Sequence, residues 1–181
     1  MITEKQYDPA RRNVSLTSKE GKRFKKLGDM GEQLALLLLE RHEFIHFHNL
    51  NNSSMNFPFA DLMAEKDGVK YLISVKARNK FEHTGKLNSR FKLGDTEKKI
   101  QKLRNDEKFA PYRDYVPAWM AIALDKHTYE AYWGLIDELP NKRGISMSEK
   151  AKQNYRCLAK DQPHNFNFDE FGNIYNPKEK T

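Results

Sequence analysis

The chain of 181 residues contains a single cysteine, Cys157. One cysteine excludes a disulfide framework and a cysteine zinc site, and fits a reducing, cytoplasmic setting. Long apolar runs are missing too. The longest, Leu34–Leu39, falls far short of the roughly 20 residues that span a bilayer, so no membrane partner is expected. The first residues are polar and charged, without the apolar core of a secretion signal. There is no glycine-rich phosphate-cradling loop, no serine-hydrolase elbow, no internal repeat and no low-complexity segment. Positive charge is in excess: 32 Lys and Arg against 25 Asp and Glu, a net charge of +7 and a pI near 9.3. That balance points to a polyanionic partner, nucleic acid ahead of an anionic surface. With 38% apolar and 31% charged residues, a chain of this length has material for one domain with a real core.

The most informative stretch runs from Phe59 to Arg78. Asp67-Gly68 sits between two alternating runs, a strong signal for a two-residue β-hairpin turn. The turn sets the register: Lys66 faces Val69, Ala64 faces Tyr71, Leu62 faces Ile73 and Asp61 faces Ser74. Opposed residues share a face, so alternation places Leu62, Ala64, Val69, Tyr71, Ile73 and Val75 on an apolar side. Asp61, Ser74, Lys76 and Arg78 then gather at one end of the opposite side. An ordinary strand-end hydrogen bond and a solvated strand face would account for these residues singly.

The rest of the chain supplies a context. Residues 1–17, with Arg11-Arg12, read as a basic N-terminal arm. From Ser18 a basic helix is expected, with Leu27, Met30, Leu34, Leu37, Leu38 and Arg41 at helical spacing. Its Leu34–Leu39 end is apolar all round and should be buried on more than one side. Gly28 and Gly31 weaken a helix, so close approach of another backbone is expected beside Glu32. Ile45–His48 alternates like a short strand, and Asn49–Asn56 reads as a loop. After an irregular basic segment, Asn79–Gly94, a helix is expected over Thr96–Phe109, capped by Asp95 or Thr96, with Ile100, Leu103 and Phe109 inward. Pro111 and Pro117 bracket a loop. The apolar run Ala118–Leu124 reads as a central strand and Tyr129–Ile136 as the next. Ser148–Leu158 reads as a short helix, and Asn165–Tyr175 as an edge hairpin or an irregular tail. One domain over 18–160 followed by a polar segment, 161–181, is the expected organisation.

An acid after a first helix and strand, a hairpin, a lysine two residues past a small polar residue, then a helix and further strands: this order resembles the PD-(D/E)XK nuclease superfamily, which includes restriction endonucleases and archaeal Holliday-junction resolvases. The resemblance covers about Ser18 to Ile136. It implies an α/β protein with a restriction-endonuclease-like αβββαβ core, a mixed sheet flanked by helices. It also implies a nuclease that hydrolyses DNA phosphodiester bonds with Mg²⁺ or Mn²⁺, and as a homodimer if it cuts both strands. By position, Asp61 matches the metal-binding acid, Val75 the residue whose carbonyl is a metal ligand, and Lys76 the catalytic lysine. Glu32 matches the helical glutamate near the metal. Ser74 departs from the pattern, because an acid is usual there. In a minority of restriction enzymes with Ser-x-Lys the second carboxylate lies on the following helix, which here means Glu97 or Asp95. Glu82 and Glu32 are the other sources. A binding protein that has lost catalysis is the alternative that Ser74 favours.

The residue types suit that chemistry. Mg²⁺ takes one or two carboxylates together with water and phosphate oxygens, and it both stabilises phosphoryl charge and activates water. Lys76 would orient the attacking water or stabilise the charge of the transition state. Arg78, Lys80, Lys86, Arg90 and Lys92, with Lys22 and Lys26 on the first helix, would contact phosphates. A competing motif, His42-Glu43-Phe44-Ile45-His46, matches HExxH, in which two histidines one helical turn apart bind zinc. It requires a helix continuing through His46, whereas the alternation from Ile45 argues for a strand.

Overall fold

The computed structural model describes residues 18–53, 56–79 and 89–167, with side chains from residue 25 onward. The expected N-terminal arm, the Lys22 side chain, Lys80, Glu82, Lys86 and the chain beyond 167 lie outside the described residues. The elements are α1 (Ser18–Arg41), β1 (Ile45–Asn49), β2 (Leu62–Lys66), β3 (Val69–Asn79), β4 (Arg90–Lys92), α2 (Thr96–Asn105), β5 (Val116–Leu124), β6 (Thr128–Leu135), β7 (Gly144–Ser146), α3 (Glu149–Lys152) and β8 (Arg156–Pro163). The protein is a mixed α/β fold. Its central sheet has the order β1-β2-β3-β5-β6-β8, with β3 and β5 parallel and the other neighbours antiparallel. β4 and β7 form a separate two-stranded ribbon.

The hairpin has the register that its turn dictates: Lys66 pairs with Val69, Ala64 with Tyr71 and Leu62 with Ile73. Asp67 and Gly68 have φ of 52° and 76°, the left-handed pair of a type I′ turn, which Asp-Gly accommodates and whose twist matches the flanking strands. Ala118–Leu124 is fully buried in β5, between β3 and β6, as a continuous apolar run predicts.

Other expectations change. The face opposite the apolar side is not open to water. It carries a second core of Leu72, Phe91, Leu103, Phe109, Trp119 and Tyr132, built with α2 and the ribbon, and Ser74 is only 2% exposed. α1 buries Leu27, Met30, Leu34, Ala35, Leu38 and Leu39 but leaves Leu37 37% exposed. The helix lies on one face of the sheet, so its apolar end is covered on one side rather than all round. The second helix stops at Asn105, and Phe109 reaches the core from a 3₁₀ segment, Glu107–Tyr112. Pro117 belongs to β5, near its start, where a missing N–H disturbs the ladder least. The expected helix over Ser148–Leu158 shrinks to α3, and β8 takes over from Arg156 and continues to Pro163, past the boundary expected at 160.

Candidate active site

The site begins with a glycine on α1. A Cβ at Gly31 would lie 2.4 Å from the Cβ of Ala77 on β3, so only glycine lets the helix come this close to the strand. The contact sets Glu32, the next residue, beside the C-terminal half of β3. Gly28, one turn earlier, has nothing within 4 Å of its Cβ position and borders the same depression as Glu32.

Asp61 precedes β2 and is fixed on both sides of its backbone. Its N–H donates to Ile73 O at 2.9 Å, and its carbonyl accepts from Leu50 N at 2.9 Å. Oδ2 accepts the Val75 N–H at 2.7 Å, a strong contact to a carboxylate. The Ser74 hydroxyl and Lys76 Nζ lie 3.4 and 3.5 Å from the same oxygen, at the outer limit of hydrogen bonding. The β3 backbone therefore aims Asp61, and Lys76 stays close to it without being locked. Oδ1 makes no hydrogen bond among the described residues.

Glu32 is held from the other side. Asn49 Nδ2 donates to its Oε2 at 2.7 Å and Asn51 Nδ2 to its Oε1 at 2.8 Å. The Asn49 side-chain oxygen in turn accepts from the Asn51 N–H at 2.8 Å, which orients the first amide. Burial, with the charge of Asp61, pushes the Glu32 carboxyl above its ordinary value of 4.5, while the Asn49 and Asn51 amides oppose that shift. A carboxyl with a raised folded-state pKa holds its proton more tightly when folded. Its stabilising contribution is therefore complete below the unfolded value and is lost as pH rises through the folded one. In metal-free protein, the difference in urea-unfolding stability between wild type and Glu32→Gln is expected to move against wild type as pH rises from about 4 to 7. A bound divalent cation should reverse the trend, since it favours the ionised form. A difference that stays flat with pH would show that folding does not raise the Glu32 carboxyl.

Glu32, Asp61, Val75, Lys76, Arg78 and Lys92 border one depression of about 470 Å³. Two carboxylates from separate elements, one with an uncommitted oxygen and one pushed up by burial and also by the other's charge, are a donor set suited to a divalent cation that keeps several waters. Ser74 lies behind this pair, buried, across from Trp119 on β5. Arg90 borders the adjoining depression together with Lys92. Lys26 is exposed on α1. Glu97 is not brought to the pair: it lies 3.8 Å from Lys142 and borders a different depression. Asp95 caps α2 by accepting the Lys98 N–H at 3.3 Å. A cavity of about 630 Å³ lined by Trp119, Trp133 and Tyr155 shares no residue with the carboxylate site.

No family model matches the chain, and no curated protein does. Among solved structures the chain is similar to Hjc, a Holliday junction resolvase from the archaeal hyperthermophile Archaeoglobus fulgidus. The TM-score is 0.45 at 14% identity, over 72% of this chain and 95% of that one. Residue roles in this protein rest on its own geometry.

The zinc reading of His42–His46 fails on that geometry. α1 ends at Arg41, and Glu43 takes a φ of 63°. The Glu43 N–H bonds Glu40 O and the Phe44 N–H bonds Leu39 O, the paired closing bonds of a Schellman helix end. His46 therefore lies in β1, while His42 Nε2 sits 2.8 Å from Leu158 O. Among the described residues, no group of three or more His, Cys, Asp or Glu side chains is placed to hold a metal. Sequence reasoning missed Asn49, Asn51 and Lys99, which borders the carboxylate depression and donates to Leu93 O at 3.3 Å. The asparagines fall in a segment whose composition signals only a loop, and nothing local ties them to a glutamate 17 and 19 residues earlier.

Proposed function

We propose that this protein is a metal-dependent deoxyribonuclease of the PD-(D/E)XK type, with Glu32, Asp61 and the Val75 carbonyl as the donors for Mg²⁺ or Mn²⁺. The carrying observation is the convergence of Glu32, Asp61 and Lys76, from α1, the segment before β2, and β3, on one depression. When bound there, a divalent cation would supply charge neutralisation at a phosphoryl oxygen and a water made more acidic. Lys76, beside Asp61, brings a cation to the reacting phosphate and a donor that orients the attacking water. Asn49 and Asn51 keep Glu32 turned toward the site. Arg78 and Lys92 hold the phosphates that flank the scissile one. Glu32 serves as the second carboxylate in place of Glu97, which accommodates the serine at position 74. Cleavage of both strands would call for two copies of the chain. Among the described residues, no helix is long and apolar enough to cross a membrane.

The test is incubation of the purified protein with labelled duplex, branched, flapped and single-stranded DNA in Mg²⁺, in Mn²⁺ and in EDTA. Cleavage in either metal that EDTA abolishes is the expected result. A second reading, a nucleic-acid-binding protein without catalysis, draws on the neutral, buried Ser74 where an acid is usual. Absence of cleavage on every substrate in both metals, with DNA affinity unchanged in Asp61→Ala, would establish that reading instead.

A further inference from the structure

The β4–β7 ribbon is small, yet its two sides differ sharply. Phe91 and Ile145 point into the second core, with exposures of 1% and 0%. Alternation then sends Arg90 and Lys92, on either side of Phe91, outward, and both are exposed. Gly144 pairs with Lys92 across the ribbon, and a Cβ there would lie 2.7 Å from Arg90 Nε. A glycine at this position thus leaves room for the Arg90 side chain to lie along the ribbon. Arg143, just before β7, is pinned by its backbone. Its carbonyl accepts from Leu93 N at 2.9 Å and Gly94 N at 3.3 Å, and its N–H donates to Asn141 Oδ1 at 2.9 Å.

Arg90, Lys92 and Arg143 border one depression of about 530 Å³, against a single acid, Asp95, which is occupied in capping α2. Arg143 and Lys92 make no side-chain bond or ion pair with any described residue. Lys142 differs: it is neutralised by Asp137 at 3.0 Å and Glu97 at 3.8 Å. This depression shares Lys92 and Gly94 with the carboxylate site. Arg78 completes the link, its guanidinium 5.9 Å from the centre of the Phe91 ring.

We infer that the ribbon is a phosphate rail: Arg143 and Lys92, side by side at the end nearer the carboxylate site, and then Arg90 hold neighbouring phosphodiesters of one nucleic-acid strand as it leaves that site. Two residues along a strand advance about 6.6 Å, comparable to the step between successive phosphates along such a strand. Lys92 and Arg90 at that pitch, with Arg143 beside Lys92 across the ribbon, neutralise a backbone without reading its sequence. Arg143 comes from a part of the chain where the sequence marks no motif. The inference builds on the proposed action on DNA but needs no cleavage.

The test is fluorescence anisotropy with a fluorescein-labelled DNA duplex in EDTA, at several salt concentrations. Arg143→Ala and Lys92→Ala are each expected to weaken binding about 5- to 10-fold at low salt and to reduce the salt slope by about one. Lys160→Ala, which removes the same charge from the exposed face of β8, should leave affinity and slope unchanged. The rail is overturned if all three variants behave alike, or if the wild-type protein does not bind. Loss of affinity in the rail variants alongside a wild-type protein that cleaves nothing would keep the rail and discard the nuclease. Cleavage with rail variants that bind normally would do the opposite.

Discussion

Replacing Asp61 by asparagine is expected to lower metal-dependent DNA cleavage by about 10³-fold or more, because a metal-bound phosphoryl group draws several kcal/mol of stabilisation from the ion, at about 1.4 kcal/mol per factor of ten. Asparagine is the informative choice. Asp61 Oδ2 accepts the buried Val75 N–H at 2.7 Å, and alanine would leave that donor unsatisfied at a cost of about 1–3 kcal/mol. Asparagine retains an acceptor oxygen of the same shape and removes the charge that attracts the cation. Lys76→Ala should lose comparable activity by a different route, since it keeps both carboxylates. Calorimetric titration with Mn²⁺ separates the two: heat of binding disappears in Asp61→Asn and persists in Lys76→Ala. The same Asp61→Asn change removes one of the influences that raise Glu32, so Glu32 should titrate lower in that variant without metal. Cleavage that survives in Asp61→Asn would place the reaction elsewhere on the protein.

The second large effect concerns Gly31. Glycine inside a helix ordinarily costs up to about 1 kcal/mol relative to alanine, so Gly→Ala there usually stabilises. At Gly31 the sign should reverse. The added methyl would sit 2.4 Å from Ala77 Cβ and 3.8 Å from Val75 Cγ1, between a helix and a central strand that cannot easily part. Overpacking of this kind costs about 1–3 kcal/mol, so after the propensity gain Gly31→Ala should lower unfolding stability by up to about 2 kcal/mol net. It should also push Glu32 away from Asp61 and weaken Mn²⁺ binding. Gly28→Ala is the matched control on the same helix. With nothing within 4 Å of its Cβ position, it should stabilise by about 0.5–1 kcal/mol. Combining Gly31→Ala with Ala77→Gly removes the colliding atom and should restore part of both losses. A Gly31→Ala protein as stable as wild type would mean that α1 does not ride this closely on β3.

The contrast between these two glycines marks the limit of what the chain displays in one dimension. Both sit at equivalent places in the helical pattern, and both prompt the same expectation of close approach. Only Gly31 meets another backbone. Likewise the turn at Asp67-Gly68 announces itself through residue chemistry, and the pairing that brings Asp61 opposite Ser74 follows from a two-residue loop. That register is local, within a dozen or so residues, and so is written in the sequence. The apolar run of β5 is legible for the same reason: burial on both faces leaves no room for alternation.

What the sequence by itself determined, then, is the set of elements with strong local signals: α1, the β2–β3 hairpin, α2, β5 and β6, and with them the candidacy of Asp61, Lys76 and Glu32. What only the tertiary structure decided is which distant groups meet. Asn49 and Asn51 clamp Glu32 because the end of β1 returns beside α1. Glu97 stands apart from the carboxylates because α2 points its first turn toward Lys142. Arg143 joins Arg90 and Lys92 through a ribbon of two three-residue strands, too short to leave a period in the sequence. In each case the decisive interaction spans residues whose proximity costs chain entropy and is won by packing across the whole sheet, so no window of sequence could contain it.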